Sequence, residues 1–302
     1  MTKLKILDGG MGRELKALGA PFSQPLWSAQ ALIEAPEFVI KAHRNFIQAG
    51  AQIITTNAYA CVPFHLGDAL YQDKGFELAQ QAAQYAQVAA NQANQANQEV
   101  QVAASIPPAL GSYRPDLFDA QVATPIIQTL VDAQAAYVDL WLAETISSLE
   151  EFETVAAVLS QTSKPSYYAF SLQDEISDVA KIRSTETVTQ AAEKVCLAQG
   201  AGILFNCSIP EVMEQAIKDA KAVFDAHGVE LEIGVYANNF TPIKANQQAN
   251  SDLKGMRELS AQDYVEFAKI WQQAGASIVG GCCGIFPEHI QAVSQWNAAN
   301  SL

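Results

Sequence analysis

Eight short apolar runs recur along the chain, and longer segments with helical spacing separate them. The runs are "LKILDG" (4–9), "QIITTNA" (52–58), "VQVAASI" (100–106), "VDLWLAET" (138–145), "SYYAFSL" (166–172), "GILFNCS" (202–208), "LEIGVYAN" (231–238) and "SIVGGCC" (277–283). They are rich in β-branched or aromatic residues and apolar on both faces, as strands of a covered parallel sheet are. The intervening "APEFVIKAHRNFIQAG" (35–50) sets Phe38, Ala42, Phe46 and Ala49 on one helical face. "SAQDYVEFAKIWQQAG" (260–275) does the same with Tyr264, Phe267, Ala268 and Trp271, behind Ser260 as N-cap. Eight strand–helix units predict a single-domain α/β fold, a (β/α)8 TIM barrel over residues 1–302. An open doubly wound sheet is the rival, but no GxGxxG follows the first strand.

Three similar stretches, "QAGAQI" (48–53), "AQGAGI" (198–203) and "QAGASI" (272–277), read as helix ends stopped by a left-handed glycine and followed at once by a strand. Segment 65–75, "HLGDALYQDKG", reads as a surface loop. "NQANQANQ" (91–98) reads as the polar tail of a helix, and 239–259 as a long loop of the kind that often covers active sites.

The chain has 302 residues, a formal net charge of −14 and 49% hydrophobic residues. A surface of that sign repels phosphate backbones and anionic lipid, which argues against nucleic acid and membrane partners. No apolar run resembles a spanning helix, and "MTKLKILDGG" has no signal-peptide pattern. The expectation is therefore a cytoplasmic protein, and five cysteines in such a chain predict free thiols or a metal site, not disulfides.

In a parallel barrel, chemistry sits at the C-terminal ends of the strands. Asp8, Gly9 and Gly10 fall there, as do Thr56, Asn57, Glu144, Asn238 and three of the five cysteines: Cys207, Cys282 and Cys283. Strands six and eight lie about 10 Å apart across one intervening strand, within reach of a shared metal. Neighbouring strand residues face opposite ways, so Cys282 and Cys283 reach one ion only if the backbone turns, which Gly280, Gly281 and Gly284 permit. Three soft thiolates suit Zn2+ and leave the fourth tetrahedral position open for a substrate thiol. Other readings coexist. The cysteines also read as core packing, or Cys282 and Cys283 as a redox pair. Asp8-Gly9-Gly10 also reads as a turn, and Glu144 as a helix-capping acid. Cys61 and Cys196 read as core, and His43 and His289 as helical surface or satisfied core. If functional, the glycine amides would cradle a carboxylate while Asp8 and Glu144 hold an ammonium group.

Taken together, "ILDGGMGREL", "APEFVIKAHRNFIQAGAQIITTNAY", "LAET", "FNCS" and "VGGCCG" resemble the homocysteine S-methyltransferase family, in its order and over nearly the whole chain. The resemblance implies a (β/α)8 barrel with Zn2+ held by Cys207, Cys282 and Cys283. It implies that Asp8, Gly9 and Gly10 hold the amino-acid end of homocysteine, that Glu144 binds its ammonium, and that Thr56, Asn57 and Asn238 are rim positions. The implied reaction moves a methyl group from a small donor to homocysteine, forming methionine. S-methylmethionine is the first choice of donor, with S-adenosylmethionine and betaine as alternatives. Segment 105–119, "SIPPALGSYRPDLFD", departs from the family pattern at Pro107 and Pro108, in the donor region.

Overall fold

Lys5 and Ile6 pair in parallel with Ile278 and Val279, so the first and last apolar runs of the chain are neighbours. The computed structural model describes residues 3–242 and 255–300. Its strands are β1 (Lys5–Ile6), β2 (Ile53–Thr55), β3 (Gln101–Ile106), β4 (Leu140–Ile146), β5 (Ser166–Ser171), β6 (Gly202–Asn206), β7 (Glu232–Tyr236) and β8 (Ile278–Val279). All are parallel, in the order β1-β8-β7-β6-β5-β4-β3-β2. The two ends of that order meet. Leu7 forms a parallel bridge with Ile53, Asp8 N–H donates to Ile53 O at 3.0 Å, and Gln52 N–H donates to Ile6 O at 2.7 Å. The fold is thus the expected eight-stranded barrel, and the open sheet is excluded.

Around the strands lie α1 (Met11–Ala17), α2 (Ser28–Glu34), α3 (Pro36–Gln48), α4 (Pro63–Leu66), α5 (Asp68–Gln95), α6 (Ala120–Gln134), α7 (Leu149–Leu159), α8 (Val188–Leu197), α9 (Met213–His227), α10 (Ala261–Ala274) and α11 (Pro287–Ala299). None among the described residues is long and apolar enough to cross a membrane. Strand alternation divides the apolar residues into two cores. Inward-facing Leu7, Ile53, Ala103, Leu140, Leu142, Ala169, Leu204, Tyr236 and Ile278 fill the barrel. Their neighbours Ile54, Trp141, Phe170 and Phe205 face out and pack under the helices. The helical faces expected for 35–50 and 260–275 behave this way. Phe46, Ala42, Tyr264, Ala268 and Trp271 are fully buried, and Ser260 caps α10 by accepting from Asp263 N–H at 3.1 Å. Tyr264 also donates its hydroxyl to Gly280 O at 2.6 Å, which pins the end of β8 to α10.

Two local expectations need correction, and a third falls largely outside the described residues. Segment 65–75 is not a loop: Gly67, at φ 73°, separates α4 from α5, and α5 runs on for 28 residues. That helix buries mostly alanines, a stripe of low hydrophobic contrast that hides its period. In "AQGAGI" the left-handed residue is Gln199 (φ 55°), not Gly200, whereas Gly50 and Gly275 take the expected positive φ. The 239–259 loop is described only at its two ends, bridged by Phe240 and Met256; residues 243–254 lie outside the described residues.

His43 on α3 is fully buried, and neither ring nitrogen has a hydrogen-bond partner. Burial disfavours its cation and lowers its pKa from 6.5 to about 3. Between those values the unfolded chain binds the extra proton, so stability is lost as pH falls below 6.5. His43→Leu removes both the orphaned polar atoms and this loss. Its melting temperature should match or exceed that of the parent at pH 7, and the advantage should grow by about 2 kcal/mol on going to pH 5. Parallel melting curves across that range would show that His43 does not titrate with folding.

Candidate metal and substrate site

The rim cysteines are brought together by three different backbone devices. Cys207 follows β6 with φ 48°, a left-handed conformation that breaks strand alternation and turns its side chain toward the barrel axis. Cys282 extends β8 by donating its N–H to Ala237 O at 2.9 Å and rests on the inner core. Cys283 sits one residue before Gly284, whose φ of 81° lets the chain turn there. Its carbonyl accepts from Asn239 N–H at 2.8 Å. The three sulfurs all lie within 4.8 Å of one another. Tetrahedral zinc with Zn–S bonds near 2.3 Å would set sulfurs about 3.8 Å apart, so the cluster fits such an ion.

Cys207 and Cys282 meet sulfur to sulfur across 75 residues of sequence, with Cα atoms 5.7 Å apart, while Cys283 is free. The expectation was free thiols or a metal site and no disulfide; the Cys207–Cys282 pairing corrects the last part, and the three-sulfur cluster fits a metal site. The pairing also corrects the redox reading, since the adjacent pair Cys282–Cys283 is not the one that meets. Convergence on one rim is the cause, and the same convergence makes the reduced form a three-thiol cluster.

Gly10 is the joint that holds the β8 turn in place. Its N–H donates to Ile285 O at 2.9 Å, and a Cβ built on it would stand 2.6 Å from Cys282 O. The amide expected to cradle a carboxylate is therefore occupied within the fold. Gly9 is equally enclosed, against Ile285 O and the Phe46 ring. Asp8 is buried, and both its oxygens serve Thr55, accepting from its N–H at 2.7 Å and from its hydroxyl at 3.1 Å. Burial pushes its pKa to about 8 against those two hydrogen bonds, and nearby Glu144 adds to the rise.

Glu144 faces into the barrel mouth, in step with inward Leu140 and Leu142. It accepts from Ser105 Oγ at 2.5 Å and from Tyr236 Oη at 3.3 Å, and burial raises its pKa to about 7. It does not cap the helix that follows; Ser148 does, accepting from Glu151 N–H. A buried acid whose pKa is raised in this way is a candidate for a functional group.

Thr56 and Asn57 point elsewhere. The Thr56 hydroxyl donates to Gln134 on α6 at 2.6 Å, and the Asn57 amide to Ser28 O at 3.0 Å. Strand period explains this: Ile53 faces in, so Thr55 is its inward partner and Thr56 faces the helices. Asn238 is fully buried, with Oδ1 accepting from Phe240 N–H while Nδ2 has no partner.

Sequence reasoning missed several neighbours of the site. Ser105 and Tyr236 share the inward register and were available to the same period-two argument. Asn206, beside Cys207, accepts from Thr145 N–H at 3.0 Å and donates to Thr145 Oγ1 at 2.9 Å, locking Thr145 at φ 61° next to Glu144. Arg183 lies over the Tyr113 ring at 5.1 Å, pairs with buried Asp174 and reaches Cys207 O at 3.5 Å. Tyr59 Oη and Ser112 Oγ are 2.5 Å apart. No sequence signal marks Arg183, because only the tertiary fold brings its loop over β6.

A parallel barrel with a thiol triad and a buried acid on its C-terminal rim defines a class of thiol-handling α/β-barrel enzymes. A family model described as Homocysteine S-methyltransferase matches residues 5–296, and the chain belongs to that family. It is 27% identical to "Homocysteine S-methyltransferase 3" of Zea mays over 95% of this chain and 88% of the maize protein. It is 29% identical to "Homocysteine S-methyltransferase" of Escherichia coli K12 over 95% of this chain and 93% of that one. Among solved structures it resembles the metallated form of the homocysteine methyltransferase MmuM from Escherichia coli, with a TM-score of 0.78, 25% identity, and coverage of 97% of this chain and 96% of that one.

If Gly10 is the joint, Gly10→Ala should disturb Cys282 before anything else. Overpacking against backbone costs about 1–3 kcal/mol, so the variant should melt several degrees lower and bind substoichiometric metal. Full metal occupancy in a folded Gly10→Ala protein, read by elemental analysis, would remove Gly10 from that role.

Proposed function

We propose that this protein methylates homocysteine, using Zn2+ held by Cys207, Cys282 and Cys283 and a small sulfonium donor, of which S-methylmethionine is the first candidate. The observation that carries this reading is the convergence of three sulfurs on the rim that also holds buried Glu144. When bound, zinc supplies a Lewis acid that favours the thiolate form of a thiol entering its open position.

The chain's own residues do the rest. Glu144 receives the ammonium of homocysteine, whose charge offsets the burial that otherwise raises the carboxyl. Ser105 and Tyr236 fix the carboxylate's orientation, so the substrate sulfur is presented in one direction. Asp8 keeps β1 and β2 in register through Thr55, and Asn238 offers an unpartnered donor on the same rim. In the reaction the homocysteine thiol gives up its proton to solvent water, and its sulfur forms a bond to the donor's methyl carbon. The bond from that carbon to the donor sulfur breaks, and the donor leaves as a neutral thioether holding the electron pair. A sulfonium leaving group needs no proton.

A cluster of three thiols also needs a reducing setting, so the reading places the protein in the cytoplasm. Betaine and S-adenosylmethionine remain the competing donors, and the 105–119 segment, with Gly111 at φ 111° and Tyr113 at φ 64°, is where the choice would be made.

The test is methionine formation by reduced, zinc-loaded protein from homocysteine with each of the three donors. S-methylmethionine should give two methionines per turnover. Zinc bound at one per chain without turnover on any donor would reject the donor set. In the same assay Glu144→Gln should raise the KM for homocysteine roughly 10- to 100-fold with metal content unchanged; an unchanged KM would remove Glu144 from the site.

A further inference from the structure

We propose that Gln134, buried on α6, is a positioning residue for Glu144 and acts through Ser105. This deepens, and rests on, the reading of Glu144 as the ammonium partner of homocysteine. In Gln134 an amide stands where an apolar side chain belongs. The buried face of α6 is otherwise Ala123, Ile126, Ile127, Leu130, Val131 and Ala133, and Gln134 is fully buried at the end of it. A buried amide lowers stability unless its hydrogen bonds are made. Here Oε1 accepts from the Thr56 hydroxyl at 2.6 Å, and Nε2 donates to Ser105 O and to Leu130 O, each at 3.1 Å.

The sheet supplies the reason. Along β3 the backbone groups alternate between the two neighbouring strands. Gln101 N–H donates to Gln52 O and Ala103 O accepts from Thr56 N–H on the β2 side, while Val102 O accepts from Asp139 N–H on the β4 side. By that alternation the N–H and C=O of Ser105 both face β2. But β2 ends at Thr55, so no strand remains to pair them, and buried backbone groups must find other partners. Thr56 Oγ1 accepts from Ser105 N–H at 2.9 Å, and the Gln134 amide donates to Ser105 O. Because Thr56 and Gln134 are also bonded to each other, three hydrogen bonds close a ring around the backbone of Ser105. Its side chain points the other way, in the inward register of Ala103, and donates to Glu144 Oε1 at 2.5 Å. The second Glu144 oxygen accepts from Tyr236 Oη at the longer distance of 3.3 Å. Pairing of β4 with β5 shifts register between Ala143 and Ile146, so the ladder alone does not fix Glu144 on that side. The Ser105 hydroxyl therefore sets where the carboxylate points, and the ring behind it sets where that hydroxyl lies.

Calorimetric titration of the reduced, zinc-loaded protein with homocysteine and with its deaminated counterpart, 4-sulfanylbutanoate, tests this. Gln134→Met keeps the length of the side chain and removes its hydrogen bonds. It should weaken homocysteine binding roughly 2- to 10-fold, the effect of about one net hydrogen bond, and leave 4-sulfanylbutanoate binding and metal content unchanged. Thr56→Val opens the same ring at another bond and should show the same selectivity, which keeps the test in hand if Gln134→Met does not fold. In a Ser105→Ala background Gln134→Met should add nothing further, because its effect passes through the Ser105 hydroxyl. Equal weakening of both thiols, weakening of neither, or an undiminished loss in the Ser105→Ala background overturns the proposal. Parent protein that binds homocysteine no better than 4-sulfanylbutanoate would remove Glu144 from amine recognition and take the proposal with it, a failure of the underlying reading that shows before any variant is made.

Discussion

The site depends on one joint, where the backbone of Gly10 meets the carbonyls of Cys282 and Ile285. There the exit from the first strand and the exit from the last are pressed together without a side chain between them. The barrel closes beside it, through the Leu7–Ile53 bridge and the Asp8–Thr55 hydrogen bonds. Tyr264 pins Gly280 from the helix layer, so the two cysteines leave β8 from a fixed point. Cys207 then needs only a single left-handed residue after β6 to complete the group. Three sulfurs thus meet because three strand ends are fixed, although no short sequence motif contains all of them.

Electrostatics divide the mouth. Asp8 and Glu144 are both buried and both raised in pKa, but they differ in what holds them. Asp8 is closed off by two bonds to Thr55 and works within the fold. Glu144 is held by two hydroxyls, those of Ser105 and Tyr236, in the inward register of the barrel.

Much of this was legible in the sequence. Eight apolar runs gave eight strands, since a buried parallel strand must be apolar on both faces. The three cysteines were legible because strand ends share one rim. The limits were those of period and of tertiary contact. Thr56 was read as a rim residue because it ends its run, yet the alternation set by Ile53 turns Thr55 inward instead. Segment 65–75 looked like a loop because Gly67 and Asp68 are turn residues and an alanine-lined helix shows little contrast. Of the two glycine amides read as a carboxylate cradle, that of Gly10 is bonded to Ile285 O in the β8 turn, a partner that only the tertiary fold reveals. Arg183 carried no local signal at all.

The central claim is that the three sulfurs hold one ion with a position open to the substrate thiol. Zinc K-edge X-ray absorption of the reduced, zinc-loaded protein, without and with homocysteine, addresses it directly. The account predicts three sulfur neighbours and one lighter atom in the free protein, and four sulfurs near 2.3 Å once homocysteine is bound. A first shell of nitrogen and oxygen, or a sulfur count that does not change with homocysteine, would contradict it.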